Sequence, residues 1–485
     1  MPGASVVGRL ARVAMEPIAF LERLPPSASS RETDTMLSGR LTRIARPAAA
    51  GIAALVALAF ARQPGPSPHH AAPTFSKDVA PIIYRNCASC HHPGGLGPFS
   101  LVDYDSAKAQ TDKIEDAVSS GYMPPWHAEG PHGVFRNDRR LADADKRMIL
   151  DWIAGGAQQG DAKDLPPKPD YPSTWSIGTP DFVVSMTEDF TVPAAGTIEY
   201  QYFTVPTNLT EDKWVQAIEI QPGAREVVHH VLVYASVPPA PGAAPVAPLP
   251  RPAGAPTAPP LFIRNRQQAI LPDAPRTDTL HRPPRTGLGA LIGTTAPGTN
   301  VVEFTPGTAL RLRAGTVLTF QMHYTAHGHE MKDRTRVGFR FAAEKPQEEI
   351  FASQFVNGGF TIPAGQKDVA VPAEITAGQP VRIWGIFPHT HLRGTRWRYT
   401  LVKPDSTSEV ILDMPHYDFN WQTYYLFDKP LDLVPGTKIV STAWYDNSAT
   451  NKHNPDATKD VHWGDQTWDE MQYTGFLYSV PGRHP

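Results

Sequence analysis

From Thr74 to about Asp161 the apolar positions recur at helical spacing. Val79, Ile82 and Ile83 share one side of a helix that runs into Cys87, with Ser76 placed to cap it. A second helix is expected over Ser106 to Ser120, stopping at Gly121. A third starts near Asp143, carries Met148, Ile149, Trp152 and Ile153 on its apolar side, and ends at Gly155-Gly156. After a Pro- and Lys-rich linker, Leu165 to Pro172, the period changes to two. Thr197 to Val205, Trp214 to Ile220, Val227 to Ala235, Ala309 to Arg313, Val317 to Thr325 and Arg336 to Phe341 read as strands bounded by Pro, Gly or charged turns. A second set begins near Phe355 and includes Pro380 to Phe387, Trp397 to Val402, Glu409 to Leu412, Lys438 to Tyr445 and Met471 to Tyr478. Two β-sandwiches behind a small all-α segment follow from that order.

Residues 237–284 interrupt the first strand set with a Pro-rich stretch that denies ladder hydrogen bonds, and are expected to form a long surface insertion. The chain has 485 residues, too many for one compact core. Its 51 prolines and 37 glycines favour short strands and turns. A net charge of -3 offers no basic face, so nucleic acid is not an expected partner.

Arg40, Arg43 and Arg46 precede an apolar run from Ala48 to Ala61, the order of a secretory signal, with cleavage expected after Ala61. The run is short for a bilayer span, so no stable membrane span is expected. Residues 1–35 carry no second apolar run, and Met36 stands where such a signal would begin, making it the expected start of translation. A periplasmic or secreted protein is implied.

The chain's two cysteines both lie in Cys87-Ala88-Ser89-Cys90-His91. Two thiols at that spacing can add to the two vinyl groups of one porphyrin while the next histidine lies under the iron, so the motif predicts one covalent haem c. A zinc knuckle needs a second ligand pair, which the cysteine count denies, and a thioredoxin-like pair belongs in a βαβ context. Met123, in Gly-Tyr-Met-Pro-Pro-Trp-His, is a candidate sixth ligand and His127 its rival. The segment resembles small cytochrome c domains with a Met-Pro-Pro-Trp loop.

In the β region four features stand out: His229-His230 in a strand, His323 in Gln-Met-His-Tyr, His389-Thr390-His391, and Met471 after Asp469-Glu470. Residues i and i+2 of a strand share a face, so His389 and His391 can reach one metal. His229 and His230 point to opposite faces of a regular strand, so joint ligation requires a bulge or twist there. Imidazole with a thioether suits copper in both oxidation states.

As a set these motifs resemble the copper type II, ascorbate-dependent monooxygenases, the family of peptidylglycine hydroxylating and dopamine β-monooxygenases. The resemblance covers roughly Pro180 to Val480. It implies two copper ions, one held by His229, His230 and His323 and the other by His389, His391 and Met471. It also implies O2 reduction at the second site with hydroxylation of a substrate C–H bond, and storage of the second electron at the first. Ascorbate is the family's reductant; a fused haem, fed by a redox partner, would replace or supplement it. Phe387 stands where the peptide-hydroxylating members carry a carboxylate-binding arginine, and Gly475 where they carry a tyrosine, so a C-terminal glycine peptide is not the expected substrate. The animal members are rich in disulfides, whereas this region has no cysteine.

The expected architecture is therefore multidomain. An extension and signal peptide (1–61) precede a small all-α cytochrome c domain (62–165), and two all-β, jelly-roll-like sandwiches (173–345 and 346–485) follow. The competing class is a copper-binding or electron-transfer cytochrome fusion without turnover. His327, His329, His416, His453 and His462 carry no assigned role.

Overall fold

The computed structural model describes residues 72–93, 95, 97–131, 134–170, 175–237, 261–264, 288–295, 301–483 and 485. Met36, the cleavage point at Ala61 and most of the Pro-rich stretch lie outside the described residues. Sheets dominate and helices are few and short, which is the β-sandwich architecture the period-two pattern predicts. Among the described residues no helix is long and apolar enough to cross a membrane.

Among the described residues the helices are confined to the N-terminal part. A π-helical turn, Phe75–Val79, leads into Ala80–Asn86. Thr74, not Ser76, occupies the cap position, its N–H donating to the Asp78 carboxylate at 2.8 Å, while Ser76 is buried. The expected second helix is two, Tyr104–Lys108 and Thr111–Ser119. Asp103 caps the first of them by accepting from the Ser106 N–H. Asp143–Ala154 forms as expected and packs its Ile149 and Trp152 with Phe75, Ile83 and Ile114 in the core of this segment.

The first sandwich packs the sheet of Gln201–Pro206, Val317–Tyr324, Val228–Ser236 and Ala290–Thr295 against Phe182–Ser185, Arg336–Phe341, Lys213–Gln221 and Thr308–Leu312. The second packs Glu348–Val356, Tyr473–Ser479, Val381–His389 and Tyr425–Leu433 against Ser408–Met414, Gly394–Val402, Lys438–Tyr445 and Val369–Ala377. The two are fused edge to edge, because Glu348–Val356 pairs in parallel with Thr308–Leu312 and makes one continuous sheet.

Two features depart from the sequence reading. Inside the Pro-rich stretch, Phe262–Arg264 is a strand on the edge of Val369–Ala377, and the Phe262 ring meets Phe476 and Tyr478 edge-on. That part of the stretch is sheet edge, not free surface loop. Trp126, Ala128 and Phe135 belong to the core of the second sandwich although they precede the linker. Trp126 and Phe135 pack on Tyr425, and backbone bonds from Glu129 to Asp413 and from Arg136 to Leu426 stitch the segment to that sheet.

Candidate copper and haem sites

His229, His230 and His323 come together on the inner sheet of the first sandwich. His230 lies opposite His323, whereas Tyr324 lies opposite Val228, so the ladder slips by one residue and His229 is the extra residue of a β-bulge. The bulge turns two adjacent imidazoles toward one point. His229 Nδ1 is 3.1 Å from His230 Nδ1, which is 3.4 Å from His323 Nδ1. Nitrogens held at 2.0–2.1 Å around a tetrahedral ion stand about 3.4 Å apart, so the spacing is that of a ligand set. The Tyr200 hydroxyl, 3.2 Å from His230 Nε2, can accept the proton of that nitrogen and leave Nδ1 as a lone pair. Burial drives all three toward the neutral, ligating form. His229 falls to about 4, with a smaller contribution from His389, and burial holds His230 and His323 well below the ordinary imidazole value.

His389 and His391 stand at the end of Val381–His389 with ring centroids 5.1 Å apart. His389 Nδ1 lies 2.7 Å from the buried Gln422 Oε1, whose own amide donates to the Phe419 carbonyl and so sets its orientation. His389 Nδ1 is therefore the protonated nitrogen and Nε2 the free donor. His391 Nδ1 is likewise tied to the Asp469 carbonyl at 3.2 Å, and its Nε2 is buried with no hydrogen-bond partner. An orphaned, buried imidazole nitrogen is costly unless something binds it. Both donor sets fit copper. Desolvation lowers His389 to about 4 and holds His391 well below the ordinary imidazole value.

Glu470, which sequence reasoning passed over, joins this pair to the methionine segment. Its two carboxylate oxygens accept from the backbone N–H of His391 at 2.8 Å and of Arg393 at 2.6 Å. Burial pushes its carboxyl up to about 8, against the pull of those donors and of Arg393. Met471 is the next residue and is half-buried, its carbonyl accepting from the Tyr445 hydroxyl at 2.6 Å. The two histidine groups are neighbours across the sandwich junction. His230 and His389 have ring centroids 6.1 Å apart, and Phe419 stacks on His229 at 4.7 Å while meeting His391 edge-on. The Asp-Glu-Met order could have pointed to Glu470; nothing in the local sequence points to Gln422, which lies 33 residues from His389.

In the helical segment, Cys87, Cys90 and His91 lie in one turn, with the Cys90 and His91 N–H groups both donating to the Cys87 carbonyl. His91 Nδ1 donates to the Phe99 carbonyl at 3.0 Å, leaving Nε2 available. Gly97 abuts the imidazole, and a Cβ there would lie 2.5 Å from His91 Nδ1. Burial, with a smaller contribution from Cys90, pushes the Cys87 thiol up to about 12. Two thiols and a histidine presenting one free nitrogen fit a covalent haem. Met123 is half-buried, its N–H donating to the Ala117 carbonyl. His127 instead lines a cavity of about 690 Å³ with Tyr122, Trp126, His416 and Asp418. Burial lowers it, with Asp418 opposing and His416 assisting.

Residues 356–478 match the family model described as copper type II ascorbate-dependent monooxygenase, C-terminal domain, which supports a copper-dependent monooxygenase. The matched stretch contains His389, His391, Gln422, Glu470 and Met471. No curated protein matches the chain. Among solved structures, the infectious bursal disease virus VP2 subviral particle is similar at 9% identity and a TM-score of 0.16, covering 62% of this chain and 73% of that one. Allantoicase from Saccharomyces cerevisiae is similar at 8% identity and a TM-score of 0.16, covering 60% and 81%. Neither likeness is close enough to establish a shared fold.

Proposed function

We propose that the chain is an exported copper-dependent monooxygenase that hydroxylates a C–H bond of a small organic or peptide-like substrate with O2, its electrons relayed through a c-type haem. The observation that carries the reading is the meeting of five imidazoles, four of them buried and that of His229 half-buried, at the junction of the two sandwiches, inside and beside the stretch that matches the monooxygenase family. His229, His230 and His323 would hold one copper and His389, His391 and Met471 the other, and the two ions would supply one-electron chemistry and O2 activation. Two electrons are needed per hydroxylation and each ion carries one, so two sites suit the stoichiometry.

The chain's residues do the rest. Gln422 and the Asp469 carbonyl fix the tautomers of His389 and His391, so that Nε2 of each is the donor. Glu470 holds the backbone of the His-Thr-His turn against the methionine segment. Phe419, stacked on His229 and edge-on to His391, packs a buried apolar ring against both histidine groups. In the helical segment Cys87 and Cys90 would anchor a haem and His91 Nε2 would face its iron, which supplies single-electron transfer. His127 lines a cavity with His416 and Asp418, so Met123 is the residue of this loop that would serve as the second protein ligand of a haem. The external reductant is ascorbate or a redox partner that charges the haem.

Metal analysis and a reduced-minus-oxidised visible spectrum of periplasmically expressed protein test the reading. One covalent haem and two coppers per chain, with copper-dependent O2 consumption on adding substrate, are expected. Haem without copper after reconstitution would reduce the protein to a cytochrome on an inactive sandwich.

A further inference from the structure

We propose that the ring contact between Tyr122 and Trp421 conducts electrons from the haem-binding loop to the imidazole cluster. The inference rests on the haem-relay reading above and specifies its route. Tyr122 directly precedes Met123, the candidate iron ligand, in a loop anchored by the Met123 N–H on the Ala117 carbonyl. Its ring, 43% exposed, meets the edge of Trp421 with centroids 5.7 Å apart and planes at 72°. The backbone at Trp421 is held by its main-chain N–H donating to the Asp418 carbonyl at 3.0 Å.

From Trp421 two short connections reach the candidate copper ligands. Gln422, its neighbour in the chain, accepts the His389 Nδ1 proton at 2.7 Å. Phe419, two residues earlier, stacks on His229 at 4.7 Å with an interplanar angle of 18°. The loop 418–423 thus touches the haem-binding loop at one point and both histidine groups at two others. A path of covalent bonds, one aromatic contact and one hydrogen bond couples donor and acceptor better than a gap through space.

The step balances simply. Ferrous haem gives up one electron and becomes ferric, one cupric ion becomes cuprous, and no bond or proton changes hands. A one-electron donor, or ascorbate, reduces the haem again.

The test is intramolecular electron transfer in full-length protein holding haem and copper, with the haem reduced by a flash-generated reductant and its reoxidation followed in the visible band without substrate or O2. Tyr122→Ala should slow reoxidation by at least about tenfold, and Tyr122→Phe, which keeps the ring, should restore it to within about threefold of wild type, with haem potential and copper content unchanged in both. Tyr122 is exposed, so neither change threatens folding; Trp421→Leu should repeat the slow phenotype. Wild-type transfer with unaltered rates in Tyr122→Ala and Trp421→Leu overturns the route and points to the rival approach, where Cys90 lies within electrostatic reach of Arg225, four residues before His229. Haem that stays reduced beside cupric ion in wild type overturns the relay reading itself.

Discussion

At the residue scale, the candidate ligands are set up by partners that do not themselves face a metal. Gln422 orients His389 through one 2.7 Å bond. Gln422→Leu keeps the volume and removes that bond, so copper affinity at this site should fall by about 10–100-fold, as for other outer-shell partners of a ligating histidine. Titration of the apoprotein with cuprous ion measures it, and an unchanged affinity would remove Gln422 from the site. The imidazoles also make the apoprotein acid-sensitive. Their folded-state values lie below the ordinary 6.5, at about 4 for His229 and His389. Between those limits the unfolded chain binds protons that the folded one refuses, so stability is present above pH 6.5 and is lost as pH falls toward 4. Apoprotein at pH 5 should therefore be less stable than at pH 7, by up to about 2 kcal/mol for each such imidazole. Denaturant midpoints at the two pH values check the sign.

At the scale of elements, the β-bulge at His229 does what a regular strand could not, since adjacent side chains otherwise face opposite ways. Deleting His229 would restore the ladder and leave His230 opposite His323. The deletion variant should keep the sandwich fold, by circular dichroism, and lose one copper per chain. The turn after Cys90 is similarly constrained. Gly97→Ala drives a methyl into the His91 ring, so the haem protein should show an altered axial-ligand spectrum while its helical content persists. An unperturbed spectrum would show that His91 is not held as described.

At the scale of the whole molecule, the chain does not divide cleanly where its composition changes. Trp126 and Phe135, N-terminal to the proline-rich linker, lie in the core of the second sandwich against Tyr425 and Phe427. A chain beginning at residue 166 would leave that face bare. Loss of a buried Trp or Phe costs about 3–5 kcal/mol each, so this truncation should be insoluble or unfold at a much lower denaturant concentration than a chain beginning at residue 73. Equal midpoints would mean that the segment contributes nothing to the sandwich.

Much of the architecture was legible because it rests on local periodicity. The helix ending at Ala154 and strands such as Arg336–Phe341 and Lys438–Tyr445 alternate or recur plainly enough to be read from the chain. Phe182–Ser185 and Phe190–Val192 are too short to show a pattern of their own, and Pro372 interrupts Val369–Ala377, which is held by pairing with Lys438–Tyr445 and Phe262–Arg264. The histidine motifs and the Cys-x-x-Cys-His turn were visible as side-chain chemistry at fixed spacing. Tertiary structure alone decided that His230 and His389 are neighbours, that Gln422 and Glu470 orient their ligating partners, and that Tyr122 meets Trp421. Those contacts join residues distant in the chain, and no periodicity encodes which sheet edges will fuse or which loop will fold over the junction.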